Sequence, residues 1–195
     1  MKNLIVIGSG GHAVSCIDVI ESTKKFKIIG LICDNKKIGD TLLGYKIIGR
    51  LNELKKFKKK SRNIFIAIGQ IKTPKLRINI FNKCKKLNFN LPVIISSKAI
   101  VSKHSKIGDG TIVHHLAILN ANTSIGKNCI INSQSLIEHD VTIEDNCHVS
   151  TNAIINGSCF IKKNTFIGSS TVISNNISIK KKKFIKLGSV VKKSI

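Results

Sequence analysis

The sequence is poor in acidic and aromatic residues. Its 195 residues include 10 Asp and Glu against 33 Lys and Arg, a formal net charge of +23, with 8 Phe, 1 Tyr and no Trp. Such a positive surplus favours phosphate contacts with nucleic acids. Nearly all of it is Lys, however, in runs such as residues 58–60 and 180–183, and few aromatic rings are present to stack on bases. We interpret the lysines as a solvated surface that attracts small anions and predict no nucleic-acid partner.

Long hydrophobic runs and paired cysteine motifs are also missing. The first apolar run, Leu4–Ile7, stops at Gly8 and is too short for a signal-peptide core or a membrane span. The sequence therefore predicts a cytoplasmic protein without a membrane partner. Its six cysteines form no C-x-x-C pair, which argues against a zinc ribbon or a redox motif and favours reduced, buried thiols.

A six-residue repeat dominates the second half of the sequence. Every sixth residue from Ile95 to Val191 is aliphatic, and most positions two residues earlier hold a small side chain. No α-helix keeps such a stripe on one face, because a step of six rotates a helical residue by about 600°. Short strands joined by turns, three to a coil, keep each aliphatic side chain pointing inward. Residues 92–195 are therefore predicted to form a parallel β-helix.

The first half, residues 1–91, predicts a Rossmann-like α/β domain. Leu4–Ile7 is typical of a buried parallel strand, and it leads into the G-x-G-x-x-A turn of residues 8–13 and a helix to about Thr23. Such a turn directs backbone N–H groups at a phosphate, although the motif alone leaves a purely structural turn as an almost equal alternative. A second strand is predicted at Lys27–Cys33, ending at Asp34, which is placed to accept hydrogen bonds from a ribose or base.

The rest of the first half predicts one more strand and one more helix. The strand, Ile64–Ile68, ends at Gly69. Thr73 and Pro74 are typical of an N-cap and a first helical residue. The buried stripe of this helix is predicted to be Leu76, Ile80, Cys84 and Leu87.

Gly10-Gly11-His12 placed before a β-helix resembles the hexapeptide-repeat sugar acyltransferases. This family contains bacterial sialic acid O-acetyltransferases and N-acetyltransferases of UDP-linked 4-amino-4,6-dideoxy sugars, and the resemblance covers nearly the whole chain. It implies a left-handed β-helix, a homotrimer, and acetyl-CoA as co-substrate without a metal. It also implies that Gly10, Gly11, His12, Asp34 and Gly69 bind the sugar nucleotide. His12 is expected to be neutral, because the N-terminus of a helix disfavours the cation.

Acyl transfer requires a base for the acceptor, and His139 is the candidate. It follows the inward-pointing Ile137 by two residues, and the adjacent carboxylate of Asp140 can orient the ring. The segment from Asn132 to Asp140, with His148 nine residues after His139, resembles the active-site stretch of the family. The resemblance implies His139 as general base, Asp140 as its acidic partner and Asn132 as a group that positions the acceptor.

The same resemblance implies a CoA site in a groove between subunits. His148, Ser150 and Gly157 would contribute to it. Relatives carry a Gly-x-Pro-Ala-Lys type segment over the adenine end of CoA, and the sequence from Gly188 to Ile195 lacks it. We therefore expect weaker CoA binding, unless the lysines at 180–183 meet the CoA phosphates.

Three alternatives remain open. The first is O-acetylation of sialic acid or a related sugar, which would use the same base as N-acetylation. The second is a metal enzyme of the β-helical carbonic anhydrase type, which needs three converging histidines. His115 and His139 are not separated by a whole number of coils, and we interpret His114 and His115 as turn residues. The third is a non-catalytic nucleotide-sugar-binding protein, against which the His139–Asp140 pair argues.

Overall fold

The computed structural model describes all residues from 1 to 195. An α/β sheet with helices precedes a three-sided stack of short parallel strands. This architecture confirms the predicted order of an α/β domain and a parallel β-helix. The division between residues 91 and 92 stays a prediction. No helix has the length and apolar character needed to cross a membrane.

The first part of the chain contains a five-stranded sheet. Its elements are β1 (Lys2–Ile7), α1 (Gly11–Ser22), β2 (Phe26–Ile32), β3 (Thr41–Leu42), β4 (Tyr45–Gly49), a 3₁₀ helix (Leu51–Glu53), α2 (Leu54–Phe57), β5 (Ile64–Ile66) and α3 (Lys75–Lys86). The strand order is β3-β4-β2-β1-β5, and only the β3–β4 pair is antiparallel. The hairpin of β3 and β4 was not predicted, because its turn combines Leu43, a poor turn residue, with Gly44, both at positive φ.

Helix α3 differs from the sequence prediction. It begins at Lys75, so Pro74 is the N-cap rather than the first helical residue, and the Thr73 hydroxyl accepts the Lys75 N–H at 3.3 Å. Leu76 is 56% exposed, whereas Arg77 is fully buried. The predicted stripe was therefore wrong at its first position, because the face of α3 that packs against the rest of the chain begins one residue later.

The β-helix consists of two-residue strands. They are β6 (Ile94–Ile95), β7 (Ile100–Val101), β8 (Lys106–Ile107), β9 (Ile112–Val113), β10 (Ile118–Leu119), β11 (Ser124–Ile125), β12 (Ile130–Ile131), β13 (Leu136–Ile137), β14 (Thr142–Ile143), β15 (His148–Val149), β16 (Ile154–Ile155), β17 (Phe160–Ile161), β18 (Phe166–Ile167), β19 (Val172–Ile173), β20 (Ser178–Ile179), β21 (Phe184–Ile185) and β22 (Val190–Val191). Each pairs in parallel with a strand one coil away, as Leu119 does with Val101 and Ile137. The three resulting sheets form the sides of a prism.

The interior of the prism is apolar. The second residue of each strand points inward, and 21 buried residues form one continuous cluster there. Cys129, Cys147 and Cys159 belong to it and occupy small-residue positions. All six cysteines of the chain are buried and free, which confirms the interpretation as buried thiols.

The corners of the prism use left-handed backbone at regular intervals. From Gly110 to Gly188, every sixth residue has positive φ. Six of these positions are Asn, the non-glycine residue that adopts this conformation at least cost. Asp140, with φ of 59°, is one of the turn positions. Its carboxylate therefore projects from a fixed corner rather than from a flexible loop.

Helix α1 packs on one side of the prism, the sheet of β6, β9, β12, β15, β18 and β21, which we call the covered sheet. Outward-pointing Ile94, Ile112 and Ile130 are fully buried in one cluster with Cys16 and Ile17 of α1. Burial of each such isoleucine stabilises the contact by about 1.5–3 kcal/mol. The corner between the other two sheets, residues 120–123, 138–141 and 156–159, lies opposite, and we call it the distal corner.

Candidate active site

A cavity of about 470 Å³ opens at the carboxyl ends of β1, β2 and β5. It is lined by all five residues predicted to bind the sugar nucleotide, namely Gly10, Gly11, His12, Asp34 and Gly69. The carboxyl ends of neighbouring parallel strands are where α/β sheets bind ligands. The structure thus brings these residues together in one cavity.

The turn after β1 has the backbone geometry of an anion cradle. Gly8 has φ of 121°, and a Cβ there would lie 2.6 Å from the Ala67 carbonyl oxygen, so only glycine fits. A Cβ at Gly10 or Gly11 would meet nothing within 4 Å, which leaves the start of α1 open. Gly10 is the N-cap of α1 and has no side-chain cap, and the first N–H groups of a helix have no partner within it. These donors are therefore available to an anionic ligand.

Asp34 lies at the edge of the same cavity. One carboxylate oxygen accepts the Leu51 N–H at 2.9 Å, which fixes the side chain between β2 and the 3₁₀ helix. Its other oxygen is available to a ligand hydroxyl or base N–H.

His12 connects this cavity to a buried polar cluster. Its Nε2 lies 3.3 Å from the Cys16 Sγ, and its ring is 5.6 Å from that of His114. Burial, with smaller contributions from Arg77 and His114, lowers the pKa of His12 to about 2, so the ring is neutral as predicted. Burial also raises the pKa of Cys16 to about 12 and lowers that of His114 to about 4.

His114 and His115 are not simple turn residues. His114 is 1% exposed, and His115 makes bonds with Asp18 at 2.8 Å and Ser96 at 2.6 Å. The atoms of His12, Cys16 and His114 that could ligate a metal ion lie within 4.8 Å of one another. A metal cation there would share a buried site with the guanidinium of Arg77, whose charge lowers the pKa of both histidines. We therefore assign the cluster to packing between α1 and the β-helix.

Sequence reasoning missed Arg77, which ties the cavity to the β-helix. Its guanidinium donates to the carbonyls of Ile68 at 3.0 Å, Asn128 at 3.2 Å and Gly110 at 3.2 Å, and also to Ile66. Burial lowers its pKa to about 10, so it remains charged at neutral pH. No sequence signal marks it, because its partners are main-chain atoms of distant segments.

The distal corner presents His139 to solvent. Its side chain is 59% exposed, and its Nδ1–H donates to Asp140 at 2.7 Å. Asp140 also accepts from the Asn122 amide, one coil earlier, at 2.6 Å. The hydrogen bond from Asn122, and then that from His139, lowers the pKa of Asp140. This arrangement fixes the ring orientation and leaves Nε2 free to accept a proton.

The His139 ring packs against Gly157, whose lack of a side chain leaves room for it. A Cβ at this position would lie 2.7 Å from His139 Cε1 and 2.8 Å from Nε2. Gly157 is one coil after His139, so the two residues stack at the distal corner. The structure therefore places Gly157 against the proposed base.

The remaining predicted residues lie on or next to the covered sheet, away from His139 of the same chain. The His148 Nδ1–H donates to the Gln70 carbonyl at 2.6 Å, and its buried Nε2 has no partner. Burial lowers its pKa to about 4. The Asn132 side chain accepts the Ser133 N–H at 2.9 Å, and the hydroxyl of Ser150 bonds with that of Ser169 at 2.9 Å.

Two family models match successive parts of the chain. Residues 3–84 match the PglD N-terminal domain, and residues 104–139 and 122–157 match the bacterial transferase hexapeptide of six repeats. No curated protein matches the sequence.

Several solved structures share the fold over the whole chain. A histidine-to-asparagine variant of perosamine N-acetyltransferase from Caulobacter crescentus, in complex with CoA and GDP-perosamine, is 22% identical with a TM-score of 0.93, and the match covers 100% of this chain and 90% of that one. The acetyltransferase domain of PglB from Neisseria gonorrhoeae is 23% identical with a TM-score of 0.88, covering 100% and 93%. WeeI from Acinetobacter baumannii is 21% identical with a TM-score of 0.78, covering 100% and 93%. The chain therefore carries a PglD-type N-terminal domain followed by hexapeptide repeats of the bacterial transferase type.

Proposed function

We propose that the chain transfers an acetyl group from acetyl-CoA to the amino group of a nucleotide-linked amino sugar, with His139 as general base. The observation that carries this proposal is the hydrogen-bond chain from Asn122 through Asp140 to His139 at an exposed corner. A surface histidine without a function needs no such support, whereas a base needs a defined tautomer and orientation.

The chemistry follows from the free Nε2 of His139. The acceptor nitrogen forms a bond to the acetyl carbonyl carbon, Nε2 removes its proton, and the C–S bond of the thioester breaks. The protonated ring then returns the proton to the departing thiolate. The negative charge of Asp140, held on the Nδ1 side of the ring, stabilises the imidazolium formed between these steps.

The cavity at β1, β2 and β5 is proposed to hold the nucleotide end of the acceptor. The diphosphate lies against the open N-terminus of α1 at Gly10 and Gly11, and Asp34 accepts from the ribose or base. His12, neutral and lining the cavity, is a hydrogen-bonding neighbour that adds no charge.

We propose that the acceptor and the base of one reaction come from two copies of the chain. The hydrogen bonds between the two parts of one chain all lie at the covered sheet and the corners beside it, as those of Arg77, Gln70 and His115 do. His139 lies at the distal corner, on the opposite side. A homotrimer, as the family resemblance implies, would set His139 of one copy against Asn132, His148 and Ser150 of the next.

The solved structures support the proposed substrates. Those from Caulobacter crescentus contain CoA and GDP-perosamine, and the PglB acetyltransferase domain has been solved with acetyl coenzyme A. For this chain we propose acetyl-CoA and retain the UDP-linked 4-amino-4,6-dideoxy sugar as acceptor, to be assayed beside GDP-linked sugars.

His139→Ala tests the base. With acetyl-CoA and a panel of UDP- and GDP-linked amino sugars and sialic acid, we expect the wild-type chain to acetylate an amine, and the variant to lose about 10²–10⁴-fold in kcat. His104→Ala is the matched control, because His104 is an exposed histidine of the same β-helix without a carboxylate partner. Full turnover by His139→Ala would rule out the assigned base, and transfer only to hydroxyl groups would favour the O-acetyltransferase alternative.

Mixing two inactive variants tests the two-copy site. Gly10→Asp places a carboxylate in the open phosphate cradle, where a Cβ meets no atom within 4 Å, and His139→Ala removes the base. Co-expression should restore part of the activity, because some interfaces then combine an intact cavity with an intact base. Absence of any restoration in mixed oligomers would show that each copy works alone.

A further inference from the structure

One wall of the cavity at β1, β2 and β5 is the turn that follows β2, residues 33–36. Cys33, Asp34 and Asn35 of this turn line the cavity. Cys33 is buried just after the strand, whereas Asp34 and Asn35 are exposed. A nucleoside in the cavity can contact these two polar side chains, and it is recognised only if the turn holds them in one position.

The turn makes no hydrogen bonds between its own main-chain groups. Residues 34–36 take part in no backbone–backbone bond, and the Asn35 N–H donates only to the Cys33 Sγ, at 3.3 Å. The chain after the turn is held differently, because the Gly39 N–H donates to the Ile47 carbonyl at 2.9 Å. A segment with few hydrogen bonds of its own opens easily. The shape of the turn therefore depends on the segment that lies beside it.

That segment begins at Arg50, directly after β4. The Arg50 guanidinium donates from one nitrogen, Nη1, to the Cys33 carbonyl at 2.6 Å and to the Lys36 carbonyl. The next residue, Leu51, donates its N–H to the Asp34 carboxylate at 2.9 Å. Arg50 thus joins the carbonyls at the two ends of the turn. Hydrogen bonds from a charged donor are stronger than neutral ones, so this link restricts the turn more than any other contact it makes.

The charge of Arg50 is not used in an ion pair. The carboxylate of its neighbour Glu53 pairs with Lys56 at 2.9 Å and accepts only the main-chain N–H of Arg50, at 3.2 Å. No salt bridge of the chain includes Arg50. The half-buried Arg50 side chain also does not line the cavity. Arg50 can therefore act on a ligand there only through the turn.

We propose that Arg50 is a positioning residue for the acceptor, which holds Asp34 where its second carboxylate oxygen meets the ribose or base of the nucleotide. The inference rests on the proposed function, which assigns the cavity to the nucleotide. Because Arg50 orders the turn before the ligand arrives, less conformational entropy is lost on binding. The base His139 lies at the distal corner, away from this turn. A looser turn therefore weakens binding of the nucleotide sugar without slowing the chemical step.

Arg50→Met tests this role, because it keeps an apolar stem and removes both hydrogen bonds. Calorimetry on the whole chain with UDP and GDP as probes measures nucleotide binding, and steady-state kinetics measures KM for each substrate. We expect Arg50→Met to weaken nucleotide binding, and to raise KM for the nucleotide sugar, by about tenfold. The kcat and the KM for acetyl-CoA should stay unchanged. Arg50→Lys, which keeps a charged donor on a shorter side chain, should recover part of the loss.

The matched control is Arg62→Met. Arg62 is exposed and precedes β5, at the end of the sheet away from the cavity, so its loss should change neither nucleotide binding nor KM. A double variant separates positioning from a direct contact. In Asp34→Ala the carboxylate that Arg50 holds is absent, so adding Arg50→Met should weaken nucleotide binding by less than about a further twofold.

Three results overturn the inference. They are nucleotide affinities in Arg50→Met that match the wild type, losses that multiply in the double variant, and a fall in kcat with KM for the nucleotide sugar unchanged, which indicates a general loss of structure. Absence of UDP and GDP binding by the wild-type chain would overturn it together with the proposed function. Because calorimetry needs no turnover, a chain that binds a nucleotide through Arg50 but transfers no acetyl group would refute only the proposed function.

Discussion

Gly157→Ala should displace the His139 ring while leaving the β-helix folded. The added Cβ would lie 2.7 Å from Cε1, 2.8 Å from Nε2 and 3.3 Å from Nδ1 of His139. Carbon contacts in proteins lie at about 3.5–4 Å, so one of the two groups must move. The His139 side chain is exposed and is held mainly through Asp140, whereas residue 157 belongs to the stacked coils. The ring is therefore the group that moves.

The size of the effect follows from that displacement. Restoring an ordinary contact requires a shift of about 1 Å, and a misplacement of this size at a reacting group lowers the rate by about 10²-fold. The free energy of unfolding should change by less than about 1 kcal/mol, because the displaced ring moves into solvent and the backbone of Gly157 has no positive φ that alanine would strain.

Steady-state kinetics and thermal unfolding of the same preparation check the predicted loss of rate and the predicted change in the free energy of unfolding. The control is the double variant with His139→Ala, in which Gly157→Ala should cause no further loss of kcat, because the ring it displaces is absent. A kcat within twofold of the wild type would refute His139 as the base. A large loss of stability in Gly157→Ala would show that the coil backbone moves, which would refute the argument that the His139 ring is displaced.

Three further outcomes follow from the contacts described above. Asn122→Ala removes the main cause of the lowered pKa of Asp140. The Asp140 carboxylate will then protonate at higher pH, and the acid limb of the kcat/KM profile will shift to higher pH. The control is Asn152→Ala, at an equivalent turn where the amide donates to Ser170, which should leave the pH profile unchanged. Arg77→Met leaves four carbonyls without their donor and should lower the free energy of unfolding by at least about 3 kcal/mol in urea titrations; a change below about 1 kcal/mol would contradict this. Burial lowers the folded pKa values of His12, His114 and His148 below the ordinary histidine value of 6.5, so their neutral forms stabilise the fold above that pH. This stability is lost as pH falls from 6.5 toward 4, by up to about 4 kcal/mol per pH unit if all three take up protons on unfolding, and urea midpoints that stay constant from pH 7.5 to 5 would contradict it.

The β-helix was predictable because its signal is local and repeated. Each aliphatic residue such as Leu119 packs on equivalents one coil away, so the spacing itself specifies the register. The asparagines at the corners, such as Asn128 and Asn146, repeat with the same period. They would have located every left-handed turn from sequence, including the turn that holds Asp140.

The packing between the two parts was not predictable in the same way. Helical periodicity predicts Leu76 as the buried residue at the start of α3, but the neighbouring Arg77 is buried instead. Its partners are carbonyl groups of three segments, at residues 66–68, 110 and 128. The buried state of His114 likewise depends on α1 lying across β9, which no local pattern specifies. Residue type, spacing and the family resemblance predicted the candidate site residues, but their separation into a cavity, a distal corner and a covered sheet required the structure.

The hydrogen bonds of Gln70 restrict how a bound acceptor and the candidate base can approach each other. Gly69 lines the cavity at β1, β2 and β5, and the next residue, Gln70, accepts from His148 at 2.6 Å and donates to Asn146 at 2.7 Å. With the bonds of Arg77, these contacts hold the floor of the cavity against the covered sheet, so closure of a hinge between the two parts would break buried hydrogen bonds. In the proposed two-copy site, the distance from a bound acceptor to His139 of another copy is then set by how the copies assemble. For this reason, a substitution that weakens assembly should lower kcat even when the cavity and the Asn122–Asp140–His139 chain are both intact.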